Sequence, residues 1–172
     1  DADLASIGAV LDMEDPEIAE AASTLRFVKD EYEIAQMREA VRITVDGFAE
    51  VARSIPRATK KARGERVVET AFYSVARQNG FELGYETIAA SGPNACILHW
   101  TKNDGEVKPG DLILVDAGAE LDSLYTADVT RTIPVNGKFS KEQLWVYNTV
   151  LEAADAAFAV VKPGIKFREV HN

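Results

Sequence analysis

The stretch Val115–Thr132 reads VDAGAELDSLYTADVTRT, and the way it folds back on itself decides the architecture. It continues an apolar run, Leu112 to Val115, of the length and β-branched content of a strand buried on both faces. That run ends not on a turn residue but on Asp116. A second segment, 125–133, is rich in Thr, Tyr and Val and carries Asp128 inside it. An antiparallel hairpin with its turn in 120–124, using Gly118 and Asp122 as turn formers and centred on residue 122, sets Asp116 directly opposite Asp128. Opposed residues in a ladder have Cβ atoms about 4.5–5.5 Å apart, and like charges there destabilise the pair. Two such acids can share one proton or hold a hard divalent cation through their oxygens. A bulge or longer loop would shift the register and leave Asp122 and Asp128 as ordinary solvated residues. Asp116, at the end of four apolar residues, has no such simple explanation.

The remaining composition narrows the class. The chain has 172 residues, 47% of them hydrophobic, enough for one good core with a small appendage. A formal net charge of -9 disfavours nucleic-acid and anionic-membrane partners, which need a basic face; Lys60, Lys61 and Arg63 form too short a cluster to alter this. The single cysteine, Cys96, cannot form an internal disulfide and fits a reducing compartment. No signal-peptide pattern or run of 18 apolar residues is visible, so the cytoplasm is the expected location, although a start at Asp1 instead of Met leaves a removed leader open.

Along the chain, Pro16 opens a short helix through Glu17 to Ala22, followed by a brief apolar run, 25–28. Asp30 with Glu33 forms a capping box for a long helix whose stripe is Ile34, Met37, Ala40, Val41, Val45 and Phe48, ending before Pro56. A basic loop, 57–64, leads to a second helix carried by Val67, Val68, Ala71, Phe72 and Val75 and stopped at Asn79 and Gly80. A strand over 87–90 enters a turn at 91–94. Ser140 with Gln143 caps a third helix, with Trp145, Val146, Val150, Ala153, Ala157 and Val160 on its apolar stripe and Pro163 and Gly164 at its end. This order predicts an α+β fold of antiparallel strands backed by helices, not a doubly wound sheet.

Two motifs carry a resemblance. Asp116-Ala117-Gly118 with Tyr125-Thr126-Ala127-Asp128-Val129-Thr130-Arg131-Thr132 resembles the metal-binding hairpin of the pita-bread metallopeptidases, in the aminopeptidase P and prolidase branch. Upstream, Tyr85 to Trp100, YETIAASGPNACILHW, resembles the segment bearing that branch's active-site histidine. The resemblance spans roughly residues 26–172 and implies the first half of a pita-bread catalytic domain over 29–172, truncated at its C-terminus. Residues 1–28 are then the tail of a preceding domain and a linker.

The resemblance implies a metallo-aminopeptidase that hydrolyses the N-terminal Xaa-Pro bond of peptides with proline at the second position. Two divalent ions, Mn2+ by expectation, would share a bridging hydroxide as the nucleophile. Asp116 would chelate one ion and Asp128 bridge both, with Thr130, two residues on and on the same face, as a hydrogen-bonding neighbour. His99 would contact the substrate near the scissile bond and pass a proton. Tyr85 would offer a hydroxyl on the substrate side. The spacing of the two acids is one residue longer than in several members, which leaves the register open. The family's remaining His and two Glu ligands have no match after residue 133, so this chain alone is expected to be inactive, and a homo-oligomer is expected. The alternatives are an Xaa-Pro dipeptidase (prolidase) and a non-catalytic pita-bread binding module. A thiol nucleophile from Cys96 with His99 is disfavoured, because such partners normally meet only in the fold.

Overall fold

The structure, a computed structural model, describes residues 16–171. The expected N-terminal tail therefore lies mostly outside the described residues. Helices α1 (Pro16–Phe27), α2 (Glu31–Ala58) and α3 (Gly64–Asn79) come first. Strands β1 (Glu82–Leu83) and β2 (Ile88–Ser91), a 3-10 turn (Gly92–Cys96), and strands β3 (Leu112–Ala117), β4 (Ala119–Glu120) and β5 (Val129–Pro134) follow. Helices α4 (Lys141–Val160) and α5 (Arg168–His171) close the chain. One antiparallel sheet has the order β2-β3-β5, and β1 pairs with β4 as a separate antiparallel ribbon. The α+β expectation holds.

Both predicted capping boxes form. Asp30 Oδ1 accepts from the Glu33 N–H at 2.8 Å while the Asp30 N–H donates to Glu33 Oε2 at 2.7 Å. The Ser140 and Gln143 pair does the same at α4. Each box satisfies two backbone donors that a helix start would leave orphaned. The expected end of α2 before Pro56 is corrected: the helix runs through it to Ala58. Pro56 forfeits one backbone bond, but burial of Ile55 and Ala58 and the bond from Thr59 N–H to the Ile55 carbonyl (3.1 Å) hold the last turn. Helix α1 likewise runs past Ala22 to Phe27 and absorbs much of the expected apolar run.

Helices α2 and α3 lie together on one face of the sheet. Ala40, Ile43, Val51 and Ile55 from α2 meet Val68, Phe72 and Ala76 from α3 and Ile113, Val115 and Ala117 from β3 in a single core. The approach of the helices is close because Gly47 has no side chain: a Cβ there would sit 2.6 Å from a Phe72 ring carbon. Phe72 is fully buried and meets Phe48 edge to face at 5.7 Å, burial worth roughly 1.5–3 kcal/mol. Met37, Val41 and Val45, expected in the stripe, point away from this core and are exposed; α2 has apolar residues on two faces, and periodicity alone does not say which is inside.

The expectation that β3 is buried on both faces is corrected. Ile113, Val115 and Ala117 are buried, whereas Leu112, Leu114 and Asp116 on the opposite face are half-buried. Helix α4 stands over that second face, leaving a groove of about 560 Å³ lined by Leu112, Thr132, Val146, Val150 and Phe158 among others. None of its residues is buried, and Trp145 and Phe158 are 71% and 78% exposed. No helix among the described residues is long and apolar enough to cross a membrane.

The tip of the β3–β5 hairpin is latched to α2. The Tyr125 hydroxyl donates to Glu33 Oε1 at 2.6 Å and the Ser123 hydroxyl to Gln36 Oε1 at 2.7 Å, so Glu33 both caps α2 and ties down the hairpin. The bond to Glu33, then burial and the carboxylate's charge, push the Tyr125 phenol up to about 12. The same bond, with the Asp30 N–H, holds Glu33 below the ordinary value of 4.5. A lowered acid stabilises above its unfolded value and loses its effect as pH falls through the folded one; a raised phenol stabilises below its unfolded value and loses its effect as pH rises through the folded one. The latch is therefore intact at neutral pH and released at both extremes. Amide exchange at Leu121 and Leu124, whose N–H groups bond across the tip, should accelerate below pH 4.5 beyond its intrinsic pH dependence, and Tyr125→Phe should show that acceleration already at neutral pH. Equal exchange in the two proteins would show that the latch does not hold the tip.

Candidate metal centre

The hairpin is centred one residue later than its sequence implied. Asp116 pairs with Thr130 and Ala117 with Val129. The same register continues through the Ala127 N–H to the Ala119 carbonyl (3.1 Å), the Glu120–Thr126 bridge, and the Leu121 N–H to the Tyr125 carbonyl (3.0 Å). The loop is thus 122–124, with Leu124 at φ 64 and its N–H on the Leu121 carbonyl at 2.8 Å. Three-residue loops place their last residue in the left-handed region, a position that favours glycine or asparagine. A leucine there carries no local signal of the turn.

Direct opposition of Asp116 and Asp128 is therefore corrected to a diagonal relation. The slip moves Asp116's partner by two residues, which preserves its face, so Asp128 stays on the Asp116 side next to Thr130. Diagonal neighbours are about 7–8 Å apart at Cα, close enough for both carboxylates to reach a common point. Asp116 is half-buried and Asp128 exposed. Gly118 lets the strands cross here: a Cβ on it would collide with the Ala127 carbonyl oxygen and sit 3.2 Å from the Tyr85 ring.

Tyr85 occupies the common point. Its hydroxyl lies 2.6 Å from Asp116 Oδ1 and 2.9 Å from Asp128 Oδ1. It comes from the connection between β1 and β2, aligned by the Gly84 N–H on the Gly118 carbonyl at 2.9 Å. A phenol has one proton and can donate to one acid at a time. Burial first, then the bonds to Asp116 and Asp128 and their charges, raise its titration well above the ordinary phenol value of 10. The group between the acids thus stays neutral and brings no positive charge to them.

This chemistry fits part of a divalent-metal site. Two carboxylates and a phenol oxygen are hard donors, and their mutual repulsion favours a cation. No cluster of three or more His, Cys, Asp or Glu able to hold a metal occurs among the described residues, so Asp116 and Asp128 could supply at most a portion of a coordination shell. Thr130, the expected hydrogen-bonding neighbour, stands across the ladder from Asp116. His99 lies on a separate segment, exposed, at φ 53.

Comparison with known proteins places this hairpin in a family. The profile of metallopeptidase family M24 matches residues 35–172. The chain belongs to metallopeptidase family M24. It is 50% identical over 157 residues to Xaa-Pro aminopeptidase 2 of Streptomyces coelicolor, covering 91% of this chain and 33% of that protein. It is 46% identical to Xaa-Pro aminopeptidase 1 of the same organism, covering 92% and 32%. Zinc-substituted Escherichia coli aminopeptidase P in complex with product superposes with a TM-score of 0.74 at 37% identity, over 86% of this chain and 32% of that one. The chain spans about a third of the length of these relatives. The M24 assignment makes the fold that of the pita-bread peptidases.

Within this M24 frame, the buried polar residues Asn103 and Glu65 carried no sequence signal. Asn103, fully buried at φ 46, accepts from the Ala89 N–H at 2.9 Å and donates to the Thr87 carbonyl at 2.8 Å, fastening the His99 segment to β2. Glu65, also fully buried, sits in the first turn of α3, where a glutamate is so ordinary that its position gives no signal. Its glycine partner gave no signal either, because Gly105 ends an Asn-Asp-Gly run that reads as an ordinary turn.

Proposed function

We propose that the full-length protein is a metal-dependent aminopeptidase that removes the N-terminal residue from peptides with proline in the second position. The observation that carries this reading is the convergence of Asp116, Asp128 and the Tyr85 hydroxyl on one face of the hairpin in an M24 chain; the names of the relatives support the Xaa-Pro specificity. Two divalent cations, Mn2+ in this reading, would supply Lewis acidity when bound. Asp116 and Asp128 are the residues of this chain that would hold them. Tyr85, a neutral donor between them, keeps the two carboxylates turned toward the same point. His99, on its exposed segment, faces the peptide and can pass a proton to or from it.

The test is hydrolysis by the purified full-length protein with Mn2+, offering an Xaa-Pro-Xaa tripeptide, an Xaa-Pro dipeptide and a tripeptide with alanine in place of proline. Release of the first residue from the Xaa-Pro tripeptide alone is the expected outcome. Cleavage of the dipeptide alone makes the protein a prolidase, and no cleavage of any of the three makes it a binding module.

A further inference from the structure

Glu65 is the hub of the segment that carries His99. Its Oε1 accepts from the Ser91 N–H at 2.8 Å and from Asn94 Nδ2 at 2.9 Å, and its Oε2 from Trp100 Nε1 at 2.9 Å and the Gly105 N–H at 2.7 Å. The Glu65 N–H in turn donates to the Gly105 carbonyl at 3.1 Å. These four donors come from both ends and the middle of residues 91–105, and Trp100 is the immediate neighbour of His99. All four are donors, and the two carboxylate oxygens accept from every one of them. Burying a carboxylate is costly unless it is fully hydrogen-bonded, and here the bonding is complete and lies in the first turn of a helix, where the backbone dipole also favours an anion.

The surrounding backbone is built for this contact. A Cβ at Gly105 would sit 2.9 Å from Glu65 Cδ and collide with Asn94 Nδ2, so glycine is what lets the chain reach the carboxylate. Lys102 covers the outer face of the Trp100 ring at 5.8 Å. His99 and Asn103 both lie in the left-handed region, a conformation that persists in residues other than glycine when the surroundings over-determine it. Ile97 and Leu98, by contrast, are exposed, Leu98 to 86%. The segment is clamped at its base and free at its tip.

We propose that Glu65 is a positioning residue for the peptidase reaction: its four bonds hold residues 91–105 in the one conformation that presents His99 to the substrate. This rests on the reading of His99 as the substrate-side histidine. A residue with a purely structural role would lower the folded fraction without acting through His99.

The experiment compares Glu65→Gln and Trp100→Phe in the full-length protein, each alone and combined with His99→Ala. Gln replaces one acceptor oxygen by a donor facing two N–H groups; Phe keeps an aromatic ring, loses the pyrrole half with its N–H and removes one bond in four, the milder change of the two. Trp100→Phe should lower kcat about 10-fold and Glu65→Gln about 100-fold, the scale of a small displacement of a reacting group, with KM and bound metal unchanged and no further loss in the His99→Ala background. Wild-type turnover in Trp100→Phe, or the same loss with and without His99, overturns the proposal. Hydrogen exchange at the Ser91 and Gly105 amides is the readout independent of activity. Faster exchange there, with β3 and β5 unchanged, supports the clamp even where the wild type cleaves no Xaa-Pro peptide and the proposed function has failed. Unchanged exchange overturns the clamp whatever the activity.

Discussion

Asp128→Ala in the full-length protein is expected to lower kcat/KM for Xaa-Pro peptides by roughly 10³-fold or more, because metal-ion catalysis supplies several kcal/mol and each 1.36 kcal/mol is a factor of ten. The fold should survive. Asp128 is exposed, and its removal costs Tyr85 only the 2.9 Å contact while the 2.6 Å bond to Asp116 remains. Removing one of two like charges on the same face also relieves repulsion, so the metal-free variant should melt no lower than the metal-free wild type. Bound metal should fall, because a bridging carboxylate serves both ions. Full turnover at saturating Mn2+ would take Asp128 out of the site.

His99→Ala is expected to lower kcat by about 10²–10⁴-fold, the usual range for a group that moves a proton in the transition state, while metal content stays at the wild-type level. This split separates a substrate-side histidine from a ligand, since losing a ligand would reduce metal and turnover together. The side chain is exposed and its removal opens no cavity. The left-handed backbone at this position suits histidine better than alanine, so His99→Asn, which also suits that conformation, serves as the backbone control. Loss of a metal equivalent in either variant would make His99 a ligand and overturn its assigned role.

What could be read beforehand was whatever is encoded locally. The two capping boxes need only residues three apart, and both formed as expected. The pair of acids was recognisable because Asp116 ends an apolar strand that would otherwise have no reason to carry a charge. The register was not recognisable, because Leu124 takes a turn position that normally announces itself through glycine. The slip preserved the face of both acids, which is why they still converge although the pairing differs. The β1–β4 ribbon has two residues per strand, too few to show alternation. Which apolar face of α2 is inside depends on Phe72 entering the space above Gly47, a fact about packing that periodicity does not contain. Glu65 was invisible for a related reason: its four partners are 26 to 40 residues away along the chain.

Asp116 and Asp128 are proposed as two ligands of one metal centre, with the Tyr85 hydroxyl beside it. Anomalous diffraction at the manganese edge, from crystals of the full-length protein grown with Mn2+, tests it most directly. Anomalous peaks are expected within direct coordination distance of both carboxylates, with the Asp128 oxygens shared between two of them. Peaks elsewhere in the molecule, with Asp116 and Asp128 still joined only through Tyr85, would contradict it.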